Sequence, residues 1–146
     1  MPATVRNVAR EKLEQGQLSF GVGVCITRGV EIAKAGFDWL FLDMEHGVMS
    51  LEACPQISTA ALDAGIAPIA RVPNGEYSLA TRLLDNGVLG IIVPHVDTAD
   101  EAREVADRLR YPPQGHRSIF SSMPQLGYRA VKAAEMTAAL NAASLI

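Results

Sequence analysis

The chain has 146 residues, and 13 Lys and Arg against 16 Asp and Glu give a formal net charge of −3 at pH 7. With 49% hydrophobic residues, this composition is typical of one globular domain over residues 1–146 and excludes a disordered segment. Its apolar runs are shorter than the ~20 residues that span a bilayer, which argues against a membrane protein. The basic residues form no cluster, so nucleic acid is not an expected partner.

The N-terminal segment and the cysteines favour a cytoplasmic location. The segment lacks an unbroken apolar core and contains Glu11 and Glu14, which secretory and transit peptides avoid. Cys25 and Cys54 lie far apart and form no Cys-x-x-Cys motif. We therefore expect two reduced, buried thiols.

In chain order, a first helix with Thr4 as its N-cap and Gly16 after its end is followed by alternating strands and helices. Short runs rich in Val, Ile and Phe predict strands at 20–26, 39–43, 66–72 and 90–96. Helical spacing of apolar residues predicts helices at 29–35, 51–61, 79–86, 98–109 and 128–142, the fourth opened by a Thr98–Glu101 capping box. This alternation indicates a parallel sheet built from βαβ units. The final residues Leu145 and Ile146 resemble the start of a fifth strand, so we expect the front portion of a longer α/β domain.

Polar residues at the carboxyl ends of these strands are the candidates for chemistry, because parallel sheets bind ligands there. Asp43 ends the second strand on the same face as Trp39 and Phe41. His46 could fold back onto the Asp43 carboxylate, which would make its other ring nitrogen a stronger base. The alternative is an imidazole satisfied by the backbone of its own turn. Glu45 could take the place of Asp43, but we expect it to cap or pair locally.

Arg71 ends the third strand and offers a planar fork for a carboxylate or enolate oxygen. The alternative is a structural ion pair with Asp43 or Glu45. Asp85 ends a helix, where its charge opposes the helix dipole. It therefore needs a compensating partner, for which Arg82 is the simplest choice.

Three further features are weaker candidates. His95 follows Pro94 at a strand end, whereas His116 and Arg117 belong to a Pro-Gly loop and are expected at the surface. The segment 21–23 reads Gly-Val-Gly, but its glycines precede strand residues and do not open a helix. We therefore place dinucleotide binding last among the possible functions.

Four segments in register resemble the HpcH/HpaI family of class II pyruvate aldolases, namely 36–47, 70–73, 84–94 and 110–117. The resemblance implies a (β/α)8 barrel of the TIM type, of which this chain holds the first four to five units. It also implies a carbon–carbon lyase that reversibly cleaves 4-hydroxy-2-oxo acids into pyruvate, or a related 2-oxo acid, and an aldehyde.

The resemblance also implies catalytic roles. His46 is the base of a dyad oriented by Asp43, and it moves the proton of the substrate's 4-hydroxyl. Arg71 binds the pyruvyl oxygen as it becomes an enolate, and Asp85 reaches an active site near a subunit boundary. The family tends to form homo-oligomers, and it uses a divalent metal such as Mg²⁺, Mn²⁺ or Co²⁺.

The metal ligands of the family, a Glu and an Asp, come from later strands and are expected beyond Ile146. We therefore expect that the 146-residue chain alone neither binds the metal nor turns over substrate. Two alternatives stay open. One is a non-catalytic half-barrel that serves as a binding or assembly module through its open edge. The other is a citrate-lyase-like enzyme acting on an acyl-CoA thioester. The identity of the aldehyde, the metal and the oligomer number cannot be read from these residues.

Overall fold

A computed structural model describes residues 3–25 and 29–146 of the chain. Four parallel strands form one sheet in the order β1-β2-β3-β4, and helices alternate with them along the chain. The strands are β1 (Gly21–Gly23), β2 (Trp39–Asp43), β3 (Ala67–Arg71) and β4 (Gly90–Ile92). The helices are α1 (Val8–Glu14), α2 (Gly29–Ala33), α3 (Ala53–Asp63), α4 (Tyr77–Asp85), α5 (Ala99–Leu109) and α6 (Ala133–Ala143), with a 3₁₀ turn at Pro124–Leu126. No helix in these described ranges is both long and apolar enough to cross a membrane.

The sequence located β2 and β3 well, but it misplaced several element ends. Helix α1 is capped by Asn7 and not by Thr4, because the Asn7 side chain accepts a hydrogen bond from the backbone N–H of Arg10. Helix α6 begins at Ala133 and not at 128, because Tyr128 has a φ of 57°, which is incompatible with a right-handed helix. The Thr98–Glu101 capping box of α5 is present. The predicted end of the first strand, Ile26, lies outside the described residues.

The two faces of the sheet differ. Leu40 and Leu42 of β2 are fully buried and pack with Cys54 and Ile57 of α3 in the main core. Trp39, Phe41 and Asp43 alternate with them and lie, partly exposed, on the opposite inner face. This alternation directs the last polar residue of β2 away from the helical layer.

Glycine in β1 gives the inner face room for its largest side chain. A Cβ at Gly21 would overlap the ring of Trp39, its partner in the β1–β2 register. The segment 21–23 is therefore part of a strand and not a phosphate-binding turn, which agrees with the low rank given to dinucleotide binding.

Helix α1 covers the amino end of the sheet. Its Asn7 side chain donates to the backbone carbonyls of Leu89, at 3.2 Å, and Ala143, at 2.8 Å. Ala9 packs into a small cluster with Ala67, Ile69 and Leu89. These contacts bind the start of the chain to the strands β3 and β4.

The end of the described chain extends the sheet. Leu145 forms a parallel bridge with Gly90, and the Ile91 N–H donates to the Leu145 carbonyl at 2.9 Å. The expected start of a fifth strand beside β4 is thus present as a single bridge.

Candidate active site

An Asp–Arg pair lies at the carboxyl ends of β2 and β3. Asp43 and Arg71 are register partners in the parallel ladder, so both side chains leave the same inner face at the same level. The guanidinium makes a two-point contact with the carboxylate, with Nε at 3.0 Å from Oδ1 and NH2 at 2.8 Å from Oδ2. The ion pair that was the alternative for Arg71 therefore exists.

The Asp43 carboxylate also accepts two backbone hydrogen bonds from the turn that follows β2. The N–H groups of Glu45 and His46 donate to Oδ1 at 3.1 and 3.3 Å. The hydrogen bond from Arg71, together with those from His46 and Glu45, lowers the pKa of Asp43 to about 2, although partial burial opposes this shift. Gly47 allows this turn, because a Cβ there would overlap the Asp43 carbonyl oxygen. Asp43 is therefore ionised and fixed at neutral pH.

Arg71 keeps donors for a ligand. Its NH1 nitrogen donates to no residue within 3–25 and 29–146, and the side chain is 26% exposed. The Phe41 ring lies under the guanidinium, with 5.4 Å from Cζ to the ring centroid. The Phe41 ring covers one side of the guanidinium, and the Asp43 carboxylate occupies one edge. The remaining N–H groups have no described partner.

The structure does not form the expected hydrogen bond between the His46 ring and Asp43. His46 contributes its backbone N–H to Asp43, while its imidazole is 72% exposed and lies with Nε2 at 3.6 Å from Oε2 of Glu45. Arg71 and the turn backbone already supply four donors to Asp43, three to Oδ1 and one to Oδ2. Glu45 also lies at 3.1 Å from Arg71 Nε, a contact that the sequence offered only as one alternative.

Asp85 lies at the other end of the sheet. It ends α4, which leads into the amino end of β4, whereas Asp43 and Arg71 lie at carboxyl ends of parallel strands. Within one chain, therefore, Asp85 does not join the other three candidates.

The partner of Asp85 is also different from the expected one. Asp85 pairs at 2.6 Å with NH2 of Arg117 and not with Arg82. Arg117, expected at the surface, is 5% exposed and lies over the Tyr111 ring at 4.4 Å. Proline and glycine around residue 117 suggested an exposed loop, and the sequence carried no signal for this long-range pair.

The other weak candidates occupy separate places. His95 has a φ of 55° and is exposed after β4. His116 pairs through Nδ1 with Asp107 at 2.5 Å on the surface of α5. Cys54 is buried as expected, but Cys25 is exposed, because it follows the outermost strand, β1.

The donor set was tested for the divalent metal that the resemblance implies. Across the described ranges, no three His, Cys, Asp or Glu side chains are close enough together to hold a metal ion. The two carboxylates at the site, Asp43 and Glu45, both contact Arg71. These residues do not by themselves form a metal site.

Comparison with known proteins shows the family. Residues 29–145 match the family model described as HpcH/HpaI aldolase/citrate lyase. The chain belongs to this family. The match includes Asp43, Arg71 and the buried pair between Asp85 and Arg117.

Relatives of the HpcH/HpaI chain are named aldolases. A 4-hydroxy-4-methyl-2-oxoglutarate aldolase of Hapsidospora irregularis is 40% identical over 128 residues, which is 84% of this chain and 47% of that protein. A 2-keto-3-deoxy-L-rhamnonate aldolase of Shigella sonnei is 35% identical over 126 residues, again 84% of this chain and 47% of the relative. The chain thus spans about half the length of the curated relatives that it matches.

A solved structure supports the fold of this HpcH/HpaI chain. The crystal structure of an HpcH/HpaI aldolase from Desulfitobacterium hafniense DCB-2 superposes with a TM-score of 0.86 and 27% identity. The match covers 94% of this chain and 54% of that one. The four-stranded parallel sheet is therefore that of the family's TIM-barrel aldolases over about half of their length.

Proposed function

We propose that the protein containing this chain catalyses the reversible aldol cleavage of 4-hydroxy-2-oxo acids to pyruvate, or a related 2-oxo acid, and an aldehyde. The observation that carries the proposal is the Asp43–Arg71 pair at the carboxyl ends of β2 and β3, which leaves NH1 of Arg71 without a described partner. A guanidinium fixed in this way is suited to an oxygen that gains negative charge during the reaction.

In this proposal, Asp43 is a positioning residue and Arg71 contacts the substrate. Breaking the C3–C4 bond moves an electron pair into the pyruvyl fragment and forms an enolate. Because Arg71 is held by Asp43 and backed by Phe41, its free N–H groups meet the enolate oxygen without rearrangement. Such fixed donors stabilise the transition state more than the ground state.

His46 is the proposed base. An imidazole can exchange protons near neutral pH, and this ring is exposed beside the pair. It accepts the proton of the 4-hydroxyl as the aldehyde forms, and the proton returned to C3 of the enolate completes the 2-oxo acid. Atoms and charges therefore balance over the cycle.

Three further elements belong to the proposal. A divalent metal, Mg²⁺, Mn²⁺ or Co²⁺, is the cofactor of the complete enzyme, and its expected Glu and Asp ligands lie beyond Ile146. Asp85 acts at the site of a neighbouring copy in a homo-oligomer, which is consistent with its position at the opposite end of the sheet. The protein is cytoplasmic, and residues 1–146 form part of a single barrel domain.

The test supplies the rest of the barrel from a relative. Residues 1–146 are fused to the part of the Desulfitobacterium hafniense aldolase that follows its matched half, and cleavage of 2-keto-3-deoxy-L-rhamnonate is followed with Mg²⁺, Mn²⁺ or Co²⁺ as pyruvate release. We expect turnover by the folded chimera, and none by the 146-residue chain alone. Arg71→Lys in the chimera should lower kcat/KM by about 100-fold, because a lysine cannot reproduce the planar fork.

The alternatives predict other results. Cleavage of an acyl-CoA thioester but not of hydroxy-oxo acids would favour the citrate-lyase-like enzyme. A folded chimera that is inactive on both, together with metal-independent dimerisation of the 146-residue chain, would favour the assembly module. Circular dichroism of each variant separates loss of chemistry from loss of fold.

A further inference from the structure

We propose that a polar cleft between α4 and the end of α5 binds a phosphate group, either as the free ion or at the end of a small organic molecule. None of the described residues that line this α4–α5 cleft belongs to the Asp43–Arg71 site. The inference therefore stands apart from the proposed aldolase function. The cleft has a volume of about 470 Å³, which lies within the range of about 300–1,000 Å³ found for small-molecule sites.

Hydrogen-bond donors reach the α4–α5 cleft from three parts of the chain. Ser78 and Thr81 of α4 contribute hydroxyl groups, and Ser118 contributes one from the loop that follows α5. Arg108 of α5 and Arg117 of the same loop contribute guanidinium groups. Donors on separate elements are better suited to a tetrahedral phosphate, which has oxygens on several sides, than to a planar carboxylate with two oxygens.

One of these groups, Arg117, has a donor that lacks a partner. Its side chain is 2% exposed, and its NH2 nitrogen donates to Oδ1 of Asp85 at 2.6 Å. Its Nε is buried and has no hydrogen-bond partner among residues 3–25 and 29–146. Buried polar groups in folded proteins are nearly always hydrogen-bonded. Because Arg117 lines the cleft, a phosphate oxygen at this wall gives Nε an acceptor while the pair with Asp85 stays intact.

The loop that carries Arg117 is fixed against the end of α5. The backbone N–H of His116 donates to the Asp107 carbonyl at 2.7 Å, and that of Arg117 donates to the Arg110 carbonyl at 2.9 Å. Gly115 permits this approach, because a Cβ there would overlap both carbonyl oxygens. This wall of the α4–α5 cleft is therefore formed before a ligand binds, which lowers the entropic cost of binding.

Arg108 supplies a second guanidinium that is held only loosely. Its NH2 nitrogen lies 3.5 Å from Oε1 of Glu104, and its side chain is 59% exposed. This distance exceeds the usual N–H···O range of about 2.7–3.2 Å. The guanidinium also lies over the Tyr77 ring, with 6.0 Å from Cζ to the ring centroid. Arg108 is thus free to turn from Glu104 to a phosphate, with which arginine forms two-point contacts.

The charges that line the cleft favour an anion. Arg108 and Arg117 are positively charged at any pH at which the protein is folded. Among the described lining residues, the single carboxylate is that of Asp107, and it contacts Nδ1 of His116 at 2.5 Å. The acidic partners of the two arginines lie outside the lining. A phosphate group, with a charge of about −1.5 to −2 at neutral pH, therefore meets an excess of positive charge.

The test is a titration of the ¹⁵N-labelled 146-residue chain with phenyl phosphate, at constant ionic strength in a phosphate-free buffer. We expect saturable shifts of the backbone N–H signals of Ser78 and Ser118 and of the Nε–H signal of Arg117. The dissociation constant should be about 1 mM or tighter. The titration is repeated on the chimera, which contains the same cleft residues.

Three variants locate the binding site. Arg108→Gln should raise Kd by at least about 10-fold, because a charge-assisted contact is lost. Thr81→Val keeps the shape of the side chain and should raise Kd by about 3-fold. Arg103→Gln is the matched control and should leave Kd unchanged. Arg103 is also an exposed arginine of α5, but it pairs with Asp100 and is not among the described residues that line the cleft.

Two further ligands identify the chemistry. Inorganic phosphate that binds at least as tightly as phenyl phosphate would assign the cleft to the free ion. Weaker binding of inorganic phosphate would assign it to a phosphorylated small molecule, and both results support a phosphate site. Benzoate has the same ring but a planar carboxylate, and it should bind at least about 10-fold more weakly. Equal binding of benzoate and phenyl phosphate would overturn the inference.

The remaining outcomes separate this site from the proposed function. The absence of saturable shifts up to about 10 mM phenyl phosphate would overturn the inference, as would an equal Kd in Arg108→Gln and Arg103→Gln. Neither result depends on turnover. A chimera that binds phenyl phosphate in the cleft but cleaves no hydroxy-oxo acid would support this site and remove the aldolase proposal.

Discussion

Two Asp–Arg pairs occupy opposite ends of the sheet and differ in what surrounds them. In the pair at the carboxyl ends, Asp43 and Arg71 are 24% and 26% exposed, and NH1 of Arg71 has no described partner. In the pair at the amino end, Asp85 is 18% exposed, but the Arg117 side chain is 2% exposed and its Nε is buried without a partner among the described residues. The two pairs therefore differ in the arginine, which has spare donors at the surface in one pair and is enclosed in the other.

The difference indicates which arginine is open to a ligand and which mainly holds the fold. Arg71 meets solvent over part of its surface, so a ligand oxygen can replace water at little cost. Arg117 lies against the Tyr111 ring and joins the segment after α5 to the end of α4. Removing its charge leaves Asp85, which is 18% exposed, without its partner.

The largest expected effect on stability is therefore at the enclosed pair. Arg117→Met keeps the apolar stem but leaves Asp85 unpaired, and we expect a loss of about 2–4 kcal/mol in the free energy of unfolding. In a domain of this size that lowers Tm by roughly 4–16 °C. Arg71→Met should lower the stability much less, because solvent compensates its partners. Urea and thermal unfolding of the 146-residue chain measure both.

A paired variant makes this prediction sharper. Asp85→Asn combined with Arg117→Met should recover part of the lost stability, because no unpaired charge remains at this contact. Equal losses from Arg117→Met and Arg71→Met would contradict the distinction between the two pairs.

A smaller effect is expected from pH at the exposed pair. The Arg71 hydrogen bond lowers the pKa of folded Asp43 to about 2, below its usual value of 3.8. A carboxyl group whose pKa is lower in the folded state stabilises the protein at pH values above its unfolded pKa. This contribution is lost as the pH falls from about 4 through about 2. Because solvent screens a side chain that is 24% exposed, we expect this contribution to the free energy of unfolding to be about 1–2 kcal/mol.

Urea unfolding between pH 2 and 7 tests this contribution. The difference in stability between the unmodified chain and Asp43→Asn should shrink as pH falls through this window. Asp63→Asn, at an exposed position on α3, is the control for the loss of one carboxylate. A constant gap for Asp43→Asn down to pH 2 would show that the carboxylate gains nothing from Arg71.

The smallest effect concerns reactivity without a change in stability, and it extends the contrast to the cysteines. Cys25 is exposed, whereas burial raises the pKa of the Cys54 thiol to about 11. Since the thiolate is the reactive form, iodoacetamide at pH 8 should add once to the folded chain and twice after denaturation, as read by intact mass. Rapid double addition to the folded chain would show that the α3 side of the core opens.

Local patterns in the sequence predicted the fold well. The alternation in 39–43 gave β2 its bounds and its two faces, and the Thr98–Glu101 box gave the start of α5. Both signals act between neighbouring residues. The ends that were misplaced depend on distant contacts or on a single backbone angle, such as Asn7 binding Leu89 and Tyr128 with a positive φ.

The site was predictable as a set of residue types but not as a set of partners. Position at the carboxyl ends of strands was enough to select Asp43 and Arg71, because parallel strands share one edge. Which acceptor a donor binds depends on which groups lie near each other in the folded chain. Arg71 and two backbone N–H groups contact Asp43, whereas the His46 ring lies beside Glu45. For the same reason no local signal paired Asp85 with Arg117 across 32 residues.

The single tryptophan lies on the inner face of the sheet, where glycine in β1 makes room for its ring. Trp39 also packs against the small cluster that contains Ala9 of α1. The fluorescence emission of Trp39 is therefore expected to depend on how far the inner face of the sheet is exposed to water. The spectrum shifts to shorter wavelength when the inner face is covered and to longer wavelength when α1 detaches, so closure of the barrel can be followed without a label.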